Sequence, residues 1–158
     1  MAELYHDRTS GLDNVYLDGG VRRVETKHGP STEIVDLRGL SAAIGAALVD
    51  LPRRLTAGEF RYLRKAMWLS QEELAAALGL KDAQPVSLWE RKDGPTPAGD
   101  RMTRALYLER QGKNVSLWAI AELLAKGGEA PERLVFRHDG LAWQHVAADA
   151  ATQAAVAA

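Results

Sequence analysis

The chain has 158 residues, of which 46% are apolar and 26% charged, a balance typical of an ordinary globular protein rather than a disordered or fibrous one. It contains no cysteine, which excludes disulfides, thiolate metal sites and cysteine nucleophiles. The formal net charge is −1, yet residues 53–110 hold eleven Lys and Arg against eight Asp and Glu, a local excess that permits a nucleic-acid-binding unit.

The N-terminal region, residues 1–36, predicts an arm and a small β-region. Residues 1–11 are polar and are expected to be disordered or loosely held. Three β-prone segments follow in chain order, at 14–17, 21–27 and 32–35. The turn signal Asp18-Gly19-Gly20 between the first two predicts that they pair as neighbours. We therefore expect a short N-terminal β-meander.

Residues 37–111 predict a bundle of short helices, because apolar residues recur at helical spacing behind recognisable start signals. In a capping box, an N-cap hydroxyl and a carboxylate three residues later each accept a hydrogen bond from the other's backbone N–H. The start signals, in chain order, are Asp36, the capping boxes Thr56 with Glu59 and Ser70 with Glu73, then Asp82 and Pro97. The predicted fold class is mainly α with small β parts.

The C-terminal segment, residues 112–158, predicts a helix, a β-hairpin and a tail. Residues 115–126 have the apolar spacing of a helix. The pair Asp139-Gly140 lies between two β-prone runs, 133–138 and 141–146, and is a strong hairpin signal. The alanine-rich end of the chain is expected to fray. The segment is too short to enclose a ligand pocket, so we expect it to support dimerisation or partner binding.

Residues 70–91 contain, in order, the parts of a helix-turn-helix. A short helix from Ser70 is followed by Gly79, which suits a left-handed turn, and then by a second helix over residues 82–91. The strings LSQEELA (69–75), LGL (78–80) and VSLWE (86–90) resemble the Cro/repressor (XRE-type) helix-turn-helix. The resemblance implies a Cro/repressor-like bundle that places the second helix in the major groove of operator DNA, as a homodimeric repressor.

A longer resemblance covers roughly residues 11–110. The strings GLDNVYL (11–17) and GEFRYLR (58–64), together with the helix-turn-helix, resemble the MqsA (YgiT-like) group of antitoxins and transcriptional regulators. Members commonly carry zinc-binding cysteines, which this chain lacks, so zinc is not carried over. The alternative function implied is that of a type II antitoxin, which binds a toxin protein and represses its own operon. A bacterial or phage-encoded cytoplasmic protein, nucleoid-associated when bound, is expected.

The helix-turn-helix resemblance also assigns roles to individual residues. The base-reading positions fall on Ala83, Gln84, Ser87 and Leu88. The predicted phosphate contacts, which position the protein without reading sequence, are Ser70, Gln71, Arg61, Lys65, Lys81, Arg91 and Lys92. Lys81 makes the turn one residue longer than usual. Trp89 is expected to lie in the core, and Glu90 is expected to pair with Arg64 and tie two helices together.

No constellation of residues predicts catalysis, a metal site or a cofactor. The four histidines are scattered, and no glycine-rich phosphate loop or acid–base pair is visible. The polar first eight residues and the lack of a long apolar run argue against a signal peptide and a membrane span. We therefore expect a DNA-binding protein rather than an enzyme.

Overall fold

The computed structural model of the chain describes residues 3–146. This part of the chain holds six helices and six strands, with 43% of its residues helical and 19% in strands, so the fold is mixed α/β with helix predominating. Its contacts define two compact units: unit 1 comprises residues 3–47 and 131–146, and unit 2 comprises residues 48–130. None of these helices is both long and apolar enough to cross a membrane. The predicted tail from Ala147 lies outside the described residues.

Unit 1 contains a four-stranded sheet, a separate hairpin and most of one helix. Its elements are β1 (Tyr5–Asp7), β2 (Val15–Asp18), β3 (Val21–Thr26), β4 (Gly29–Ile34), α1 (Leu37–Val49), β5 (Leu134–His138) and β6 (Trp143–Val146). The sheet has the order β1-β2-β5-β6, in which β2 and β5 are parallel and the other pairs antiparallel. Val15 and Leu17 of β2 are buried opposite Leu134 and Phe136 of β5, and such directly opposed apolar pairs stabilise a sheet.

The predicted β-meander is wrong in its pairing. Among residues 3–146, strand β2 pairs with β1 and β5, whereas β3 pairs with β4. The chain turns away between β2 and β3, where Gly19 and Gly20 have φ values of +78° and +69°. A Cβ on Gly20 would lie 2.4 Å from the ring of Trp143 on β6, so this glycine allows close approach of the C-terminal hairpin. Periodicity shows which residues are β-prone and carries no information about a distant partner.

Two further predictions for unit 1 are corrected by the same sheet. Part of the expected disordered arm forms strand β1, where Asp7 is buried and its Oδ1 accepts hydrogen bonds from Thr9 N and Thr9 Oγ1. A three-residue strand is too short to show a period. The predicted C-terminal hairpin is present as β5 and β6, but it joins the N-terminal strands. A domain boundary at residue 112 therefore separates strands that share one sheet.

Unit 2 is helical. Its helices are α2 (Ala57–Ala66), α3 (Gln71–Ala77), α4 (Gln84–Arg91), α5 (Pro97–Arg110) and α6 (Leu117–Lys126). Both predicted capping boxes are confirmed: Thr56 caps α2 together with Glu59, and Ser70 caps α3 together with Glu73. Pro97 opens α5 as predicted, in the first turn, where its missing N–H costs little.

A buried ion pair on α5 fixes the segment that leads into α2. Asp100 and Arg104 lie one turn apart, both side chains are fully buried, and Arg104 Nε donates to Asp100 Oδ1 over 2.7 Å. The remaining guanidinium N–H groups donate to the backbone carbonyls of Val49, Leu51 and Arg53 and, over 3.4 Å, to Asp100 Oδ2. Asp100 Oδ2 in turn accepts a hydrogen bond from Leu55 N over 2.6 Å. Burial of these charges is tolerated because each is paired and hydrogen-bonded.

Candidate nucleic-acid interface

Helices α3 and α4 are consecutive and are joined by residues 78–83. Gly79 has a φ of +75° and closes α3, as its position predicts. Helix α4 begins at Gln84, two residues later than the predicted start at Asp82, and its N-cap Ala83 offers no side-chain acceptor. Asp82 Oδ1 accepts a hydrogen bond from Gln84 N over 2.9 Å, as Asp side chains do in turns, and the next residue, Pro85, has no N–H to donate.

The inner face of α4 is held by apolar contacts. Val86 is fully buried. The ring of Trp89 meets the ring of Phe60 on α2 edge-to-face, with 5.6 Å between centroids. On the other side, Gly99 of α5 is so close that a Cβ there would lie 2.9 Å from the indole. Trp89 was expected in the core and is half-buried, and it fixes α4 between two other helices.

A polar network on the same face joins three helices. Glu90 of α4 accepts from Arg64 Nε over 2.5 Å and from Arg64 Nη2 over 3.2 Å, which confirms the predicted ion pair. The other donor to this carboxylate is Gln71 Nε2, at the start of α3, over 2.9 Å. Arg64 Nη1 also donates to Leu69 O. The orientation of α4 is therefore fixed by charge-assisted hydrogen bonds as well as by packing.

The outer face of α4 is open. Gln84, Ser87, Leu88 and Arg91 recur at the spacing that brings residues onto one side of a helix. Gln84 and Arg91 are exposed, and Leu88 retains 44% of its accessible surface. Ser87 and the preceding Ala83 are half-buried. This face thus presents an amide, a hydroxyl, an aliphatic group and a guanidinium side by side.

Five predicted phosphate-binding cations are exposed on α2, in the loop between α3 and α4, and at the end of α4. They are Arg61, Lys65, Lys81, Arg91 and Lys92, and none forms an ion pair with a carboxylate of residues 3–146. Helix α2 carries one carboxylate, Glu59, which is buried and held by Arg53 over 2.7 Å. Burial raises the pKa of Glu59, but hydrogen bonds from Arg53 and Thr56 outweigh it, so its pKa lies below the ordinary value.

The other two predicted phosphate contacts are engaged within unit 2. Ser70 Oγ accepts a hydrogen bond from Glu73 N over 3.0 Å as the cap of α3, and the amide nitrogen of Gln71 is bonded to Glu90. Hydrogen bonds from Ser70, first from its backbone N–H, lower the pKa of Glu73. These two residues therefore stabilise the α3–α4 arrangement. The five cations have no carboxylate partner among residues 3–146, although Arg91 Nε donates to Ser87 O over 3.2 Å.

Comparison with known proteins does not assign this chain to a family. No protein-family profile, curated protein or solved structure matches this chain. Among residues 3–146, no group of three or more His, Asp or Glu side chains is placed to hold a metal ion. The arrangement of α2, α3 and α4 is therefore the basis for any functional assignment.

One exposed residue beside the site was not singled out by the sequence. Trp68 lies in the short junction between α2 and α3 and is exposed over 92% of its surface. The available signal was the spacing: only residues 67–69 separate the end of α2 from the cap of α3, and so sharp a junction requires a left-handed residue. A bulky, exposed tryptophan is unexpected at a position with a left-handed backbone conformation.

Proposed function

We propose that unit 2 binds double-stranded DNA as a sequence-specific transcriptional regulator, with α4 as the reading helix of a helix-turn-helix, rather than acting as an enzyme. One observation carries this proposal. Helix α4 is fixed from within by Val86 and by the Glu90 network, while its Gln84, Leu88 and Arg91 side is exposed. The major groove of B-DNA is wide enough to admit such a helix.

The outer face of α4 suits the edges of base pairs. The amide of Gln84 can donate to N7 and accept from N6 of one adenine, a bidentate contact worth about 1–3 kcal/mol of discrimination. Leu88 and Ala83 offer aliphatic surface to thymine methyl groups, and the Ser87 hydroxyl can bond several bases. Gln84 has no side-chain partner within the described residues, so its amide is available.

The five exposed cations of unit 2 named above suit the phosphate backbone. Arg61, Lys65, Lys81, Arg91 and Lys92 would position the protein on the duplex without reading sequence. Each phosphate contact releases condensed counterions, so the logarithm of the affinity falls with the logarithm of salt concentration by about 0.9 per contact. A homodimer on two half-sites, about 34–36 Å apart, is the arrangement we propose for the repressor.

Selection of binding sites from randomised duplex DNA tests the proposal. The parent protein should enrich a sequence with two related half-sites, and fluorescence anisotropy should show affinity well above that for unselected DNA. Gln84→Ala should relax the preference at one base pair of each half-site while leaving the fold unchanged by circular dichroism.

The matched control is Gln111→Ala, which removes an exposed glutamine at the end of α5. It should bind the selected sequence as the parent does. Failure of the parent to enrich any sequence, or an unchanged base preference in Gln84→Ala, would contradict the proposal.

A further inference from the structure

Trp68 has an unfavourable position for folding. Its φ is +59°, in the left-handed region that non-glycine residues avoid and where a bulky residue is an outlier. Its side chain is exposed over 92% of its surface, so the ring gains almost nothing from burial. A glycine would serve the backbone better here. The stability of the fold therefore gives no reason for a tryptophan at this position.

The backbone around Trp68 is held firmly. Its N–H donates to Lys65 O over 3.0 Å, and Leu69 N donates to Arg64 O over 3.3 Å. Arg110 Nη2 of α5 donates to Met67 O over 3.2 Å. The indole is therefore exposed to solvent on a junction whose neighbouring carbonyls, those of Arg64, Lys65 and Met67, already accept hydrogen bonds. A strained backbone conformation persists where the surrounding structure holds it in place.

A second exposed tryptophan gives a direct contrast. Trp118 on α6 keeps 74% of its surface exposed, but its Nε1 donates to Glu122 Oε1 over 2.7 Å. Trp68 Nε1 has no acceptor within residues 3–146. Trp118 is therefore satisfied within its own helix, whereas Trp68 presents both an apolar ring and a free N–H donor.

The charges along α2 indicate which ligand suits this indole. Arg61 and Lys65, four residues apart, lie on one side of α2, and Trp68 follows in the junction directly after the C-cap Met67. We call these three residues the α2 stripe. Both cations are exposed, and the one carboxylate of α2, Glu59, is buried against Arg53. The α2 stripe is therefore complementary to a polyanion.

We propose that the α2 stripe is a second contact with the sugar–phosphate backbone of double-stranded DNA. The indole N–H of Trp68 donates to a phosphate oxygen and its ring packs on a deoxyribose, while Arg61 and Lys65 bind neighbouring phosphates. The inference rests on the proposed function of α4. It is supported by the bond from Gln71 Nε2 to Glu90, which holds the start of α3, and with it the adjoining Trp68 junction, beside α4.

Two substitutions at one position separate the roles of backbone and ring. Trp68→Gly removes the left-handed strain, so its melting temperature should rise by a few degrees. Its affinity for duplex DNA selected by the parent should fall about tenfold, because a hydrogen bond to a charged group and a ring contact are lost. Trp68→Phe keeps a ring without the N–H and should lose affinity by a smaller factor. A purely structural role would not move stability and affinity in opposite directions.

Trp118→Phe is the matched control and should bind the selected DNA as the parent does. Acrylamide quenching of tryptophan fluorescence gives an independent measurement: DNA should protect the parent and Trp118→Phe, and should protect Trp68→Phe less. A parent protein that binds no duplex overturns both proposals. If the parent binds but Trp68→Gly retains its affinity, only the α2 stripe is refuted. Trp68→Gly could also lose affinity because a dimer dissociates, which sedimentation would detect. That result would assign Trp68 to a protein interface and would also refute the α2 stripe as a DNA contact.

Discussion

Unit 2 contains two sets of charged side chains that differ in burial and in pairing. In the interior, Asp100 and Arg104 are fully buried, and their polar atoms are bonded to each other and to the backbone of residues 49–55. On the surface, Arg61, Lys65 and Lys81 face solvent without a carboxylate partner among residues 3–146. The first set holds the fold together, and the second is available to a ligand.

Glu90 and Arg64 lie at the border between the two sets. Their side chains keep only 5% and 12% of their accessible surface, so they behave as interior groups. They nevertheless orient the helix whose other face is exposed. The difference between the sets therefore predicts where a substitution damages folding, where it damages the proposed DNA binding, and where it damages both. The following predictions run from the largest expected loss of stability to the smallest.

The largest loss of stability is expected for Asp100→Ala. Removing one partner of a buried pair leaves the guanidinium of Arg104 uncompensated, at a cost of about 3–5 kcal/mol in the free energy of unfolding. Urea denaturation followed by far-ultraviolet circular dichroism measures it. Arg101→Ala, a neighbour on α5 that is only half-buried, is the control and should change stability by less than about 0.5 kcal/mol.

A double substitution sharpens this prediction. Many buried ion pairs can be replaced by apolar residues without loss. Here Asp100→Leu with Arg104→Met should stay destabilised, because the carbonyls of residues 49, 51 and 53 lose their donors. Recovery of the parent's stability in the double variant would show that the carbonyl contacts contribute nothing.

The second prediction concerns Glu90→Ala. It removes the acceptor shared by Arg64 and Gln71, and we expect a loss of about 2–3 kcal/mol together with loss of sequence-selective DNA binding. Denaturation and anisotropy on the selected duplex measure the two effects. Glu109→Ala, an exposed carboxylate of α5, serves as the control for removal of one negative charge. Normal selectivity in Glu90→Ala would show that the network does not position α4.

The sequence predicted the parts of the molecule that depend on local chemistry. The starts of α2 and α3 were found because a capping box places its donors and acceptors within three residues of each other. The outward-facing positions of α4 were assigned by the helix-turn-helix resemblance, although the start of that helix was placed two residues early at Asp82. Only the capping boxes were found from local interactions alone.

What the sequence did not predict depends on distant partners or on backbone angles. Strand β5, near the opposite end of the chain, pairs with β2 in parallel, and no local sequence pattern predicts such a distant partner. The burial of Arg104 depends on hydrogen bonds to backbone carbonyls. Every residue has a backbone carbonyl, so the residue types do not reveal which ones will accept these bonds. The positive φ of Trp68 follows from where α2 ends, a boundary that periodicity places only to within a few residues.

The third prediction is the pH dependence of stability at Glu59. Its pKa in the folded state lies below the value of 4.5 for an unperturbed glutamate, so its contribution to stability is complete above that value and disappears as the pH falls through the folded-state pKa. Glu59→Gln should therefore be less stable than the parent by about 1.5 kcal/mol at neutral pH. The difference should shrink as the pH falls below 4.5. Thermal unfolding from pH 3 to 7 measures this. A gap that does not narrow in acid would contradict it.

The smallest effect on stability is expected on the exposed side of α2. Arg61→Ala and Lys65→Ala should each change the free energy of unfolding by less than about 0.5 kcal/mol, because neither side chain is buried or paired with a carboxylate of residues 3–146.

Their effect on DNA binding should be distinct from that of Gln84→Ala. Each cation removed should lower affinity for selected and unselected duplexes alike and should reduce the slope of log affinity against log salt by about 0.9. Lys126→Ala, an exposed lysine in the last turn of α6, should leave that slope unchanged. If Lys126→Ala lowers the slope as much as Lys65→Ala does, the attraction comes from the overall charge of the protein, and the contrast between structural and available charges in unit 2 does not extend to DNA binding.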